Sequence, residues 1–126
     1  MSLFKNMSST SLVLARVAFA LALIGSCILA FTPADRYLQQ QMNDKLLHFS
    51  AFVVLALMAR AAFPLAPALI LAFCMSFFGA FIEVVQSYLP YRQFSWLDLL
   101  ADMAGVMFYF ILFEWTMRLP RKFEPD

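Results

Sequence analysis

The chain has 126 residues, of which 63% are hydrophobic and only 13% charged, and its formal net charge is +1. Average soluble domains carry about 25% charged side chains, and a fold of this size cannot hide so many Phe, Leu, Ala and Met side chains from water. The composition excludes an ordinary soluble domain, and the near-neutral charge offers no footing for nucleic acid.

A bilayer core about 30 Å thick needs around 20 helical residues. Four apolar stretches qualify: 11–31, 46–63, 65–89 and 96–119. Pro64, Pro90 and Pro120 close the last three, since proline lacks the N–H that would continue the ladder. The expected fold is all-α: an integral membrane bundle of four transmembrane helices, forming a single domain over residues 1–126. Ile24-Gly25-Ser26-Cys27 in the first span loosely resembles a lipoprotein cleavage box. Three further spans follow it, so the first is expected to stay as a helix. Cys27 and Cys74 both lie in apolar runs and read as small buried hydrophobes rather than a disulfide. After the first span, the polar segment 34–44 carries Tyr37, Leu38 and Met42, the pattern of a short interfacial helix.

Orientation follows from Lys and Arg near the span ends. Lys5, Arg16, Arg60, Arg118, Arg121 and Lys122 fall on one side, and Arg36, Lys45 and Arg92 on the other. This asymmetry predicts cytoplasmic termini. The segment 32–45 and the loop 90–95 then face outward, with Tyr88, Tyr91, Phe94 and Trp96 at that boundary.

The second span opens with Asn43 or Asp44 as a cap, and Lys45 and His48 share a face three residues apart. Alone, Lys45 reads as a snorkelling interfacial lysine. Glu83 and Gln86 are again three apart near the end of the third span. At a rise of about 1.5 Å per residue, Glu83 lies about 9 Å below Leu89, inside the hydrocarbon layer. Its plain reading is a protonated acid joining helices. Ser95 and Asp98 form an S-x-x-D capping box at the start of the fourth span. Asp102 lies one turn deeper and has no capping role. Gly105 continues that stripe and admits a close helix approach. Arg92, in the preceding loop, is the expected cation for these acids, or a fork for an external phosphate or carboxylate. Glu114 and Arg118 read as a surface pair, and Arg60 as a topology determinant.

Lys45-Leu-Leu-His48, Glu83-Val-Val-Gln86 and the run from Pro90 through Arg92, Ser95, Asp98 and Asp102 to Gly105 together resemble the VanZ-like family of bacterial membrane proteins. The resemblance covers residues 45–105. The family pattern often has Asn where this chain has Asp102, which leaves one acid more in the site. The resemblance implies a multi-pass protein of the bacterial inner (cytoplasmic) membrane, acting in the cell envelope. The family's namesake is associated with resistance to teicoplanin, a glycopeptide that binds cell-wall precursors.

Three functions follow. In the first, an outward polar pocket binds a lipid headgroup or a polyprenyl-linked cell-wall precursor and alters its presentation, with glycopeptide resistance as one outcome. Arg92 and Lys45 would hold its phosphate or carboxylate, and Gln86, Ser95 and Asp98 would hydrogen-bond the rest. In the second, the chain is an intramembrane hydrolase or transferase on a phosphorylated headgroup, with His48 as general base and Glu83 or Asp102 orienting it or acting as acid. In the third, the polar groups only lock the helices of an envelope assembly subunit. Transport through four spans would need an oligomer. No cofactor is expected: the single histidine excludes a multi-histidine centre, and Arg92 would compete with a divalent cation for Asp98, Asp102 and Glu83.

Overall fold

The computed structural model of the chain describes residues 7–33 and 44–113. The elements are α1 (Ser9–Phe31), α2 (Asp44–Ala62), α3 (Ala68–Ser87) and α4 (Trp96–Phe108), the last continuing as a π-helical turn, Tyr109–Phe113. Counting that turn with α4, each of the four is long and apolar enough to cross a membrane, and there is no strand among the described residues. The chain is a multi-pass membrane protein. The expected interfacial helix lies outside the described residues except for Asp44, which opens α2. Glu114, Arg118 and the rest of the predicted fourth span also lie outside them.

Prolines set the helix limits more tightly than hydropathy suggested. The predicted third span started at residue 65, but α3 begins at Ala68, with Pro67 as its N-cap. Pro64 and Pro67 each bias the preceding residue away from helical backbone, so the segment between them turns instead. The turn is held from both sides. Buried Arg60 donates to the carbonyls of Pro64 at 3.4 Å and Ala66 at 2.7 Å. From α1, Arg16 Nε donates to the Ala62 carbonyl at 3.2 Å. The two guanidinium groups also lie over the rings of Phe110 and Phe63, at 5.8 and 5.5 Å. Arg16 thus satisfies the last carbonyl of α2, which the helix end leaves orphaned, and Arg60 satisfies carbonyls of the turn, a structural task beyond the topology role expected of each.

The helices run alternately, so the C-terminal ends of α1 and α3 meet the N-terminal ends of α2 and α4 at one end of the bundle. The core is built from Phe52, Leu55 and Ala59 of α2, Met75 and Ile82 of α3, and Val106 and Phe110 of α4. α2 and α4 pack most closely. A Cβ at Gly105 would overlap the Phe49 carbonyl, so the glycine lets the two backbones touch, as the stripe predicted. Outside this core, Leu14, Leu29, Leu69, Phe73 and Phe77 are exposed. Such an apolar surface is untenable in water and ordinary against lipid tails. Cys27 and Cys74 are free thiols, and Cys74 belongs to the exposed surface rather than the core expected of it.

Candidate functional site

The site sits where the four helix ends meet. Ser95 is the N-cap of α4, and its Oγ accepts from the Asp98 amide at 3.2 Å. A complete capping box would return a bond from Asp98 to the Ser95 amide. Here Glu83 reaches across from α3 instead, and its Oε2 accepts from Ser95 N at 2.9 Å. That frees the Asp98 carboxylate to pair with Lys45, whose Nζ lies 3.1 Å from Asp98 Oδ1. One turn deeper, His48 Nδ1 lies 2.8 Å from Asp102 Oδ1.

Burial increases along this column. The Lys45 side chain is 48% exposed and that of His48 20%, whereas the residues Glu83 and Asp102 are wholly buried. A ring nitrogen of His48 and one carboxylate oxygen each from Glu83 and Asp102 lie within 4.8 Å of one another. Asp44, His48 and Asp98 form a second such group nearer the surface. Each buried carboxylate uses one oxygen. Glu83 Oε1 and Asp102 Oδ2 are buried without a hydrogen-bond partner. The positive end of the α4 macrodipole, close to Glu83, offsets part of the cost of its charge.

Arg92 does not join this cluster. Its Nη2 donates to the Thr32 carbonyl at 3.4 Å, its Nε is buried without a partner, and it makes no ion pair among the described residues. The reason is local: the end of α1 presents unpaired carbonyls and the negative end of a helix dipole, which attract a cation. Gln86 and Tyr91 share that task, donating to the carbonyls of Ala30 at 2.9 Å and Phe31 at 2.7 Å. Three successive carbonyls, those of Ala30 and Phe31 in α1 and of its C-cap Thr32, are therefore held by the end of α3 and the loop that follows it. The structure brings together Lys45, His48, Glu83, Ser95, Asp98 and Asp102. It sets Gln86 and Arg92 against α1, and the cation beside the acids is Lys45 rather than the expected Arg92.

One contributor escaped the sequence reading. Gly79 lies one turn before Glu83 on α3, and a Cβ there would come within 3.1 Å of both Cβ and Oδ2 of Asp102. The missing side chain makes room for the Asp102 carboxylate. The signal was present: the chain has only three glycines, and this one shares the face of Glu83.

The sequence pattern of the VanZ/LLP1 family matches residues 4–117. The chain is also similar to an uncharacterized protein of the fission yeast Schizosaccharomyces pombe, at 38% identity over 91 residues. That alignment covers 69% of this chain and 54% of the relative, so the chain spans about half the length of the curated relative it matches. No solved structure matches the chain.

Proposed function

The chain belongs to the VanZ/LLP1 family, and we propose that it binds the polar headgroup of a membrane lipid or lipid-linked precursor at the Lys45 end of its bundle. One observation carries the reading: six polar side chains converge at a single end of a bundle whose flanks are apolar, graded from half-exposed Lys45 to wholly buried Asp102. Intramembrane ionisable groups are expensive, and groups so gathered have a shared partner or task. Lys45 at the mouth suits a phosphate, and the hydroxyls or amines of a headgroup suit the carboxylates beneath it.

A relative in fission yeast fits a headgroup chemistry common to bacteria and eukaryotes better than one confined to bacterial wall precursors. In a bacterial host the same site would act on the outer face of the inner membrane, with altered precursor presentation and teicoplanin resistance as outcomes. The test is native mass spectrometry of the detergent-purified chain, wild type beside Lys45→Met. A specific phospholipid or polyprenyl-phosphate mass that is lost in the variant supports the reading. The absence of any specific lipid from both would sink it.

A second reading rests on the 2.8 Å contact between His48 and Asp102. A carboxylate on one ring nitrogen orients a histidine and stabilises its charged form, which is how a general base is held. On this reading the bound headgroup is hydrolysed or transferred. His48→Gln would then retain the lipid and abolish its turnover.

A further inference from the structure

We infer that His48, Glu83 and Asp102 form a binding site for one divalent transition-metal cation of the Zn2+ or Mn2+ type. The inference goes beyond the headgroup reading and needs no lipid to hold.

The geometry comes first. The three donor atoms lie within 4.8 Å of one another. Ligands at bond lengths of about 2.0–2.2 Å lie roughly 3–4 Å apart around one ion, so closing the widest separation takes about 1–2 Å in all, shared between two side chains. The pair His48 Nδ1 and Asp102 Oδ1, at 2.8 Å, already stands near the separation of adjacent ligands. Binding there would expel any proton the two share, as metal sites do.

A second observation is independent of the clustering. Glu83 Oε1 and Asp102 Oδ2 are buried and without a partner, on residues with no exposure at all. A buried carboxylate oxygen left in that state is costly, and two in one cluster point to a shared cation. Glu83 Oε2 is already oriented from outside the cluster by the Ser95 amide. This resembles the outer support that fixes metal ligands. Gly79 keeps the space beside Asp102 Oδ2 open.

Charge and chemistry narrow the ion. Among the described residues at this end, four acids, Asp44, Glu83, Asp98 and Asp102, stand against Lys45, His48 and Arg92, so acidic side chains are in excess. Arg92, expected to compete for these acids, is held at Thr32. One imidazole and two carboxylates suit Zn2+ or Mn2+, whereas Ca2+ takes six or more oxygens. Three protein ligands would leave a position open, and partly exposed His48 marks the way in. An ion there would supply the positive charge that a phosphate needs in this acidic setting.

The test uses the full chain in detergent, with Cys27→Ser and Cys74→Ser to remove adventitious thiol sites. After treatment with EDTA, the protein is dialysed against Mn2+ or Zn2+ alone, and bound metal is measured by mass spectrometry. About one ion per chain is expected, with affinity at least tenfold weaker in Glu83→Gln and Asp102→Asn. Circular dichroism checks that each variant is folded. Pulsed electron paramagnetic resonance of the Mn2+-loaded parent reads the site with no change to its ligands, and should show coupling to a histidine nitrogen. Metal uptake no higher than the buffer blank overturns the inference, as does equal affinity in folded ligand variants or the absence of nitrogen coupling. Metal uptake without lipid retention would sink the headgroup reading and leave this one standing; lipid retention by a chain that binds no metal would do the reverse.

Discussion

Glu83, near the end of α3, accepts the backbone N–H of Ser95, the N-cap of α4, at 2.9 Å. A buried acid thus closes a helix start in place of the Asp98 side chain, and Asp98 is free to face Lys45. Removing the acceptor strands a partly buried amide, at a cost of about 1–3 kcal/mol. Glu83→Ala is therefore expected to lower the unfolding midpoint in detergent clearly. Glu83→Gln, which keeps a carbonyl oxygen in place, should lower it much less. Equal losses would mean that the bond to Ser95 is not what Glu83 contributes.

Asp102 and His48 offer a spectroscopic prediction. If the Asp102 carboxylate accepts from Nδ1, neutral His48 is held with its proton on that nitrogen. Nitrogen NMR of labelled His48 should report this tautomer in the wild type and in Asp102→Asn, whose side-chain oxygen still accepts. Asp102→Ala should shift the ring toward the Nε2–H form that free imidazole favours. No difference between the Asn and Ala variants would argue against the bond.

The helix contact at Gly105 predicts a graded packing effect. A methyl there overlaps the Phe49 carbonyl, a backbone atom that cannot rotate away, so Gly105→Ala should destabilise by about 1–3 kcal/mol. Gly79→Ala meets Cβ and Oδ2 of Asp102 at 3.1 Å and Phe52 at 3.3 Å, a milder crowding than the overlap at Gly105. It should cost less stability and act mainly on the site, which the His48 nitrogen signals would register. Thermal unfolding of both variants side by side checks the order.

Lys45 and Asp98 separate stability from orientation. The pair is half open to solvent on the lysine side, and such pairs contribute about 0–1 kcal/mol. Lys45→Cys should therefore fold nearly as well as the parent. In a background lacking Cys27 and Cys74, the new thiol should react with a membrane-impermeant reagent added outside intact cells. Labelling only after the cells are opened would reverse the proposed topology.

Much of the site was legible before folding because helical periodicity is local. Lys45 and His48, or Asp98 and Asp102, share a face by spacing alone, and alternating spans gather them at one end. Gly105 was legible as a contact for the same reason. The partners were not. Arg92 is the nearest cation to the acids in the chain, yet it serves the end of α1, because unpaired carbonyls there attract it. Gln86 lies three residues from Glu83 but faces the Ala30 carbonyl. Sequence distance says nothing about which of two helices a side chain will meet.

The sequence by itself determined the class: four spans, with acids and a histidine gathered at one end, consequences of a hydrocarbon layer that rejects charge and unpaired backbone. Only the tertiary structure decided who bonds to whom. Glu83 finds Ser95, His48 finds Asp102 and Lys45 finds Asp98 because α2, α3 and α4 meet at particular rotations. Those rotations follow from side-chain packing and from two glycines, Gly79 and Gly105, that let the helices close on the site.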